Sequence, residues 1–338
     1  MRILAPRTSR YSITRLLSVL EKRGVDPATL DLSLFSFMTG DLGWLRRRLD
    51  APGYKVAGGP HPSGDPDGTK GLGFDLVVVG EGESVLERII AGERPEGIIK
   101  GEPLPLELYP PFSFRFQRFG PIELIRGCPH RCAFCQTPRI FGPVRRRDPD
   151  DVCYWMRKLV EVGIGDIRFI APDGLAYGIE DLKKIFEARP EGARIFFGSF
   201  PSELRPESVT ESGIELIRRF CSNRRVIIGG QAGSDELLRR IDRGHGVAAI
   251  FKAVRIITRS GLIPIVDMIF GLPGEREFEA ETIRFLEDIT REGAIIHAHY
   301  FTPLPGTDLA HARPEDTSYL NPICGRLARE GKLFGSWH

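Results

Sequence analysis

The sequence predicts an α/β protein: a small parallel, Rossmann-like sheet followed by a six-unit, barrel-like parallel sheet. Short apolar runs alternate with stretches of helical period along most of the 338 residues, the pattern of parallel β/α units. From residue 122 the alternation becomes regular, with six strand–helix repeats. A proline-rich joint separates the two regions. The spans expected are therefore 1–98, a connecting strap at 99–121, the barrel at 122–305 and a C-terminal extension at 306–338.

Hydrophobic residues make up 41% and charged residues 27% of the chain, as in ordinary globular proteins. The larger of two domains can bury a full core at this length. A net charge of +2 is too near zero to argue for nucleic acid by itself. No apolar run reaches the length of a membrane span. The start, Met1 to Arg7, lacks a hydrophobic signal core, so a cytoplasmic location is expected. Scarce Asn and Gln beside plentiful Arg and Glu suggest a thermophile.

In the N-terminal region, strands are expected at Arg2–Leu4, Leu32–Phe37, Lys55–Ala57 and Asp75–Val79. Helices are expected at Ile13–Lys22, where Leu16, Leu17 and Leu20 share a face, and at Ser84–Ala91. Ligands on such sheets sit at the carboxyl ends of the strands, here Met38–Gly40, Gly58–Gly64 and Gly80–Glu83. Glycines at those ends let the backbone approach a ligand, and they also simply permit tight turns. His61, between two prolines, reads more plainly as a turn residue than as a metal ligand. Glu81 and Glu83 either recognise a polar group or stabilise the amino end of the helix at Ser84.

The joint places Phe112, Phe114 and Phe116 among Pro103, Pro105, Pro110, Pro111 and Pro121. Proline prevents regular ladders and aromatic rings want burial, so an ordered strap packed across both domains is expected.

Barrel strands are expected at Ile122–Ile125, Asp166–Ile170, Arg194–Gly198, Arg224–Gly229, Pro264–Phe270 and Ala294–Phe301. Helical segments lie near 150–162, 179–188, 207–220, 235–260 and 276–292. Parallel barrels carry their active sites at the carboxyl ends of the strands. Those ends read Ala171-Pro-Asp-Gly174, Ser199-Phe-Pro-Ser-Glu203, Gly229-Gly-Gln-Ala-Gly-Ser234, Gly271-Leu-Pro-Gly-Glu275 and His299-Tyr-Phe-Thr-Pro303.

The chemistry concentrates in Arg126-Gly-Cys-Pro-His-Arg-Cys-Ala-Phe-Cys-Gln136, where Cys128, Cys132 and Cys135 are spaced C-x3-C-x2-C. A structural zinc site takes four protein ligands, usually in paired knuckles, and no second knuckle exists. Cys153, Cys221 and Cys324 are isolated and read as small buried hydrophobes. A [4Fe–4S] cluster usually takes four cysteines. Three would leave one iron open to a ligand that is not protein.

With Phe134 before its last cysteine, this loop resembles the cluster loop of the radical S-adenosylmethionine (SAM) enzymes, and the six-unit barrel extends the resemblance over about residues 120–305. The resemblance implies a [4Fe–4S] cluster on Cys128, Cys132 and Cys135, with SAM chelated to the open iron. One electron then cleaves SAM to methionine and a 5′-deoxyadenosyl radical, which requires a donor such as ferredoxin or flavodoxin. By position, SAM contacts fall on Phe134, Asp173, Ser199, Gln231, Ser234 and Arg243. Arg243 inherits the SAM carboxylate, which a planar guanidinium fork binds well. Tyr300, placed to contact adenine or donate a proton, and Tyr177 are the catalytic candidates. His245 reads as structural.

Gly58-Gly-Pro-His-Pro-Ser63 and Phe74–Glu83 resemble the cobalamin-binding-type domain that precedes many radical SAM barrels. The Asp-x-His-x-x-Gly element of some members is missing, Thr8–Ser12 standing in its place. The resemblance puts cobalamin contacts on Gly58, Gly59, Gly80 and Glu81; a domain that caps the barrel or touches substrate is the alternative. With cobalamin, methylation of an unactivated carbon is expected. Without it, the same core performs rearrangement, cyclisation or sulfur insertion. Methylthio transfer, as in the transfer-RNA-modifying relatives, is disfavoured because residues 1–127 hold no cysteine for the additional cluster of those enzymes. Peptide, transfer RNA, lipid and small-molecule substrates all remain open. A rival from another class is a non-catalytic, metal-stabilised protein binding RNA through Arg139 and Arg145–Arg147, a cluster that reads equally as a solvated charge run.

Overall fold

The computed structural model describes the backbone of residues 1–338 and all side chains except those of Thr8 and Arg10, so those two members of the Thr8–Ser12 stretch lie outside the described side chains. The chain forms two compact units. The first comprises 1–129, 134–148 and 304–310; the second comprises 130–133, 149–303 and 311–338.

The first unit is built on β1 (Arg2–Leu4), β2 (Leu32–Ser36), β3 (Tyr54–Gly58), β4 (Leu76–Val79) and β5 (Gly97–Lys100), side by side in that order and all parallel. Strand β5 was not foreseen; Gly97-Ile-Ile-Lys100 is too short to announce itself by alternation. Side chains alternate across the sheet. Leu32, Leu34, Val56, Leu76 and Val78 pack against α1 (Arg10–Lys22) and α5 (Glu83–Ile90). On the opposite face Phe35, Ala57 and Val77 meet Leu45, Phe37 and Phe74, beside the short helices α2 (Leu42–Arg46), α3 (Pro60–Gly64) and α4 (Pro66–Gly71).

The strap belongs to this unit as well. Phe112, Phe114 and Phe119 form a three-ring cluster with centroids 5.4–5.8 Å apart, a favourable edge-to-face range. Short strands β6 (Ile122–Glu123) and β7 (Ile125–Arg126) replace the single run expected at 122–125; β7 pairs antiparallel with β8 (Arg145–Arg146). Between these pairing strands lies α6 (Thr137–Ile140).

At the centre of the unit lies a group of buried charges. Arg126 donates to Glu81 Oε2 and Glu83 Oε1, both at 2.8 Å, and to both oxygens of Glu123 at 2.7–2.8 Å. Arg15 reaches Glu83 at 3.2 Å and the carbonyls of Tyr109 and Leu106 in the strap. Arg145 engages both Glu81 oxygens, and Arg147, 1% exposed, donates to the Leu106 and Glu123 carbonyls. Arg139 pairs with Asp308. Arg139, Arg145 and Arg147 are therefore committed to their own unit, and of the cations the RNA-binding reading rested on Arg146 alone is exposed. Burial pushes the Glu83 carboxyl up, but Arg126 and Arg15 more than offset it and hold it at about 2.

The second unit takes up the regular alternation. Its helices and strands are α7 (Pro149–Glu161), β9 (Asp166–Ile170), α8 (Ile179–Glu187), β10 (Arg194–Phe196), α9 (Glu211–Phe220), β11 (Arg225–Gln231), α10 (Asp235–Arg240), α11 (Val247–Arg259), β12 (Ile263–Phe270), α12 (Glu279–Arg291), β13 (Ile295–Tyr300), α13 (Asn321–Arg329) and β14 (Leu333–Gly335). Strands β9 and β10 pair in parallel, as do β11, β12, β13 and β14 in that order. Past β10 the chain continues the surface toward β11: the Ile227 N–H donates to Gly198 O, and the Leu204 N–H to Ile227 O. Strand β14 shows that the C-terminal extension adds a strand to the sheet.

One expected element is interrupted. The helical stretch read over 235–260 is two helices, broken at Ile241–Gly246, where Asp242 and Gly244 take φ of 51° and 77°.

Replacing Arg126 by Ala leaves Glu81, Glu83 and Glu123 as buried carboxylates short of a cation. Unfolding in denaturant is expected to show a loss of about 3–5 kcal/mol, the usual cost of breaking a buried ion pair from one side.

Candidate active site

Cys132 counts with the second unit, Cys128 and Cys135 with the first. Around Cys132 the second unit concentrates positive charge. Arg243 donates from one terminal nitrogen to Cys132 Sγ at 3.4 Å and from the other to Gly229 O at 2.7 Å. Arg205 donates to the same sulfur at 3.6 Å, to Arg243 O and to Glu207. The Ala133 N–H, next in the loop, donates to Ile241 O at 2.9 Å. The break between α10 and α11 therefore does two things: it frees a carbonyl for the cysteine loop, and it turns Arg243 inward.

Arg205 is the residue that sequence reading missed. It sits in Leu204-Arg-Pro206, with no motif to mark it, and only its convergence with Arg243 reveals it. Hydrogen bonds to cluster sulfurs are one of the means by which a protein sets the properties of an iron–sulfur centre. Three cysteines in one loop, the middle one accepting from two guanidiniums, form a donor set that fits a [4Fe–4S] cluster.

The strand-end residues carry a second pattern. Ser199 Oγ, Ser234 Oγ, Arg243 Nε and His245 Nε2 are buried without a hydrogen-bond partner among the described residues. Native interiors satisfy nearly all such atoms, so polar atoms left over in neighbouring motifs suit a ligand bound there. Ser234 precedes α10 yet makes no capping bond, which leaves its hydroxyl available. Gln231 adopts φ 75° at an irregularity where β11 pairs with β12. A left-handed, non-glycine residue costs on the order of 1–3 kcal/mol and tends to mark a functional position. Gly229 is required beside it: a Cβ there would lie 2.6 Å from Gln231 Nε2 and 2.8 Å from an Arg243 nitrogen.

Other candidates sit elsewhere than expected. Asp173 Oδ1 accepts from the Arg205 N–H at 3.2 Å and the Ser208 hydroxyl at 2.8 Å, so it anchors the turn that delivers Arg205. Burial raises its carboxyl above the ordinary value. Tyr177 is wholly buried, which removes it as a group meeting substrate. Tyr300 packs its ring over Gly271 and donates to Glu315 O at 3.3 Å, a structural engagement rather than a catalytic one. Phe134 is half-buried in the first unit. Burial, with Arg243 nearby, lowers His245 to about 4, so it is neutral at ordinary pH.

In the first unit two of the predicted cobalamin contacts, Gly59 and Gly80, are bridged by Ser63. Ser63, in α3, donates to Gly59 O at 2.8 Å and accepts from the Gly80 N–H at 3.0 Å, which spans the gap between the ends of β3 and β4. A Cβ on Gly59 would meet Ser36 and Phe37, and one on Gly80 would lie 2.9 Å from Ile140 O. Gly58 is less confined, its nearest neighbour being Val78 at 3.9 Å. Glu81 is held by Arg126 and Arg145, a pairing that neither sequence reading included. His61 is buried against Phe37, 5.6 Å between centroids.

Gly271-Leu-Pro-Gly-Glu275 holds a carboxyl displaced in the opposite sense to Glu83. Burial pushes Glu275 up to about 7, despite backbone N–H donors at Gly271 and Leu272; its Oε1 has no partner among the described residues. The folded state thus binds a proton that the unfolded chain releases near 4.5. Stability from this group is greatest at acid pH and falls by up to about 3 kcal/mol as pH rises through 7. Glu275→Gln is expected to flatten that slope and to be the more stable form at pH 8, read from denaturant midpoints at pH 5 and 8.

Comparison with known proteins gives the family of this stretch of the chain. Residues 122–286 match the model of the Radical SAM superfamily. An uncharacterized protein of Methanopyrus kandleri is 25% identical, over 85% of this chain and 69% of its own. The tRNA-2-methylthio-N(6)-dimethylallyladenosine synthase of Pelobacter propionicus is 28% identical over 61% of this chain, which spans about half of that enzyme (48%). Among solved structures, the radical SAM methyltransferase TsrM from Kitasatospora setae, with cobalamin and a [4Fe–4S] cluster bound, superposes with a TM-score of 0.71 at 18% identity, over 91% of this chain and 76% of TsrM. Residues 122–286, just under half of the chain, are therefore a radical SAM domain.

Proposed function

We propose that this radical SAM enzyme abstracts hydrogen from an unactivated substrate carbon, with the cluster on Cys128, Cys132 and Cys135 and SAM at the strand ends of the second unit. When bound, the cluster and SAM supply the reducing electron and the primary carbon radical. The observation that carries the reading is the set of buried, unpartnered atoms on Ser199, Ser234 and Arg243. Arg243 is fixed at both terminal nitrogens, so its Nε is presented without rotamer freedom and orients a carboxylate. The Ser199 and Ser234 hydroxyls and the Gln231 amide offer hydrogen bonds to the polar remainder of the same ligand. Arg205 and Arg243 balance negative charge at the Cys132 sulfur.

A second reading makes the reaction carbon methylation with cobalamin. It is favoured by the fold shared with TsrM across most of the chain. Gly58, Gly59 and Gly80, at the ends of β3 and β4, are the residues that would hold cobalamin. Anaerobic protein incubated with hydroxocobalamin and then desalted decides between them. One equivalent of retained corrinoid supports methylation, and none leaves the cobalamin-independent radical chemistries.

Anaerobically reconstituted protein given SAM and dithionite is expected to release 5′-deoxyadenosine and methionine; a four-iron protein that never does so overturns the proposal. Arg243→Lys keeps the charge but loses the Nε–H donor and the two terminal nitrogens that hold it in place. It is expected to weaken SAM binding by about 10- to 100-fold, since hydrogen bonds to charged groups contribute ~1.5–3 kcal/mol. Equilibrium dialysis with labelled SAM measures this without requiring turnover.

A further inference from the structure

The second unit carries another concentration of ligating atoms, which shares no residue with the cysteine loop. Asp267 on β12 lies opposite His297 on β13, and Ile269 opposite His299. Residues two apart share a face of a strand, so Asp267, His297 and His299 project from the same side. The alternate residues Val266, Met268, Ile296 and Ala298 are buried on the other side. Asp267 Oδ1 and His297 Nδ1 are 2.9 Å apart, His297 Nδ1 and His299 Nε2 3.1 Å, and His299 Nε2 and Asp267 Oδ1 3.9 Å.

Hydrogen bonding alone serves these contacts poorly. His297 Nδ1 holds either one proton or one lone pair, yet both Asp267 and His299 aim at it. It satisfies both only by splitting a single proton. A cation removes the conflict, because all three atoms can then present lone pairs to one centre. The separations average about 3.3 Å, against roughly 3.4 Å for three corners of a tetrahedron with bonds near 2.1 Å, the zinc–nitrogen and zinc–oxygen range. Two imidazoles with one carboxylate are also a common set for divalent first-row metals. Glu203, from the loop after β10, interacts electrostatically with the same three groups, which adds negative charge around the centre.

The surroundings suit a site with an open position. The side chains of Asp267, His297 and His299 are 20%, 30% and 45% exposed. Phe334 of β14 stacks on the His297 ring at 4.4 Å and 14°, which fixes its plane. Held on two adjacent strands and braced by a third, the three donors are arranged before any ion arrives.

We propose that Asp267, His297 and His299 bind a divalent transition metal, zinc being the best match, with a fourth position open to water or to a polar group of the substrate. The full-length, cluster-reconstituted protein is dialysed against zinc and metals are counted by mass spectrometry. One zinc per chain beyond the iron is expected, and His299→Ala and Asp267→Asn should each weaken its retention about 100-fold or more. His299 is the most exposed of the three, so its variant is expected to fold, and thermal unfolding checks this. Zinc-edge X-ray absorption supplies a readout that requires no variant: nitrogen and oxygen neighbours only. Absence of zinc beyond the iron, sulfur among its neighbours, or unchanged retention in folded His299→Ala each overturns the proposal. SAM cleavage is measured separately and stands or falls on its own.

Discussion

Two guanidinium groups meet at one sulfur, and much of the second unit is arranged so that they can. Arginine carries five donors and no acceptor, and when buried it needs partners for nearly all of them. Arg243 finds Cys132 Sγ and Gly229 O; Arg205 finds the same sulfur, Arg243 O and Glu207. Meeting those needs explains several local departures from regularity. The helix breaks between residues 240 and 247, Gly229 and Gly230 keep β11 free of side chains, and Gln231 turns left-handed. Asp173, an apparent ligand residue, is occupied in holding the turn that brings Arg205 into place.

The first unit faces the same requirement and answers it with charge. Arg15, Arg126, Arg145 and Arg147 enter its interior and are met by Glu81, Glu83, Glu123 and strap carbonyls. Such a network is an unreliable source of net stability, because desolvation offsets the Coulomb attraction, yet breaking it from one side is costly. It explains why Arg145 and Arg147, in the run of arginines that follows the cysteine loop, turn inward while Arg146 stays exposed. It also ties the strap to β4 and α5 through contacts that only this set of partners satisfies.

The second unit's sheet presents chemistry on one face and packing on the other. Along β12 and β13 alternate residues bury against the helical layer, while Asp267, His297 and His299 line the other side. That arrangement keeps the polar set clear of the core and places it on rigid strands rather than loops. The donors on β12 and β13 differ in kind from the thiols of the cysteine loop: nitrogen and oxygen here, sulfur there.

The sequence alone was enough for whatever depends on local order. Period-two and helical patterns located most strands and helices, since burial on one face forces that spacing. The cysteine spacing and the strand-end motifs identified the radical SAM domain, because a loop that holds a cluster uses ligands adjacent in the chain. Tertiary structure decided what depends on residues far apart. Arg205 and Arg243 are 38 residues apart and Cys132 is distant from both; no local pattern records that they meet. Glu81 looked available until Arg126 and Arg145 reached it, and Tyr177 looked catalytic until it was found in the core. The Asp267, His297 and His299 set arises only from strand register. Pairing across a parallel sheet joins segments separated by an entire helix, and a linear reading has no term for that distance.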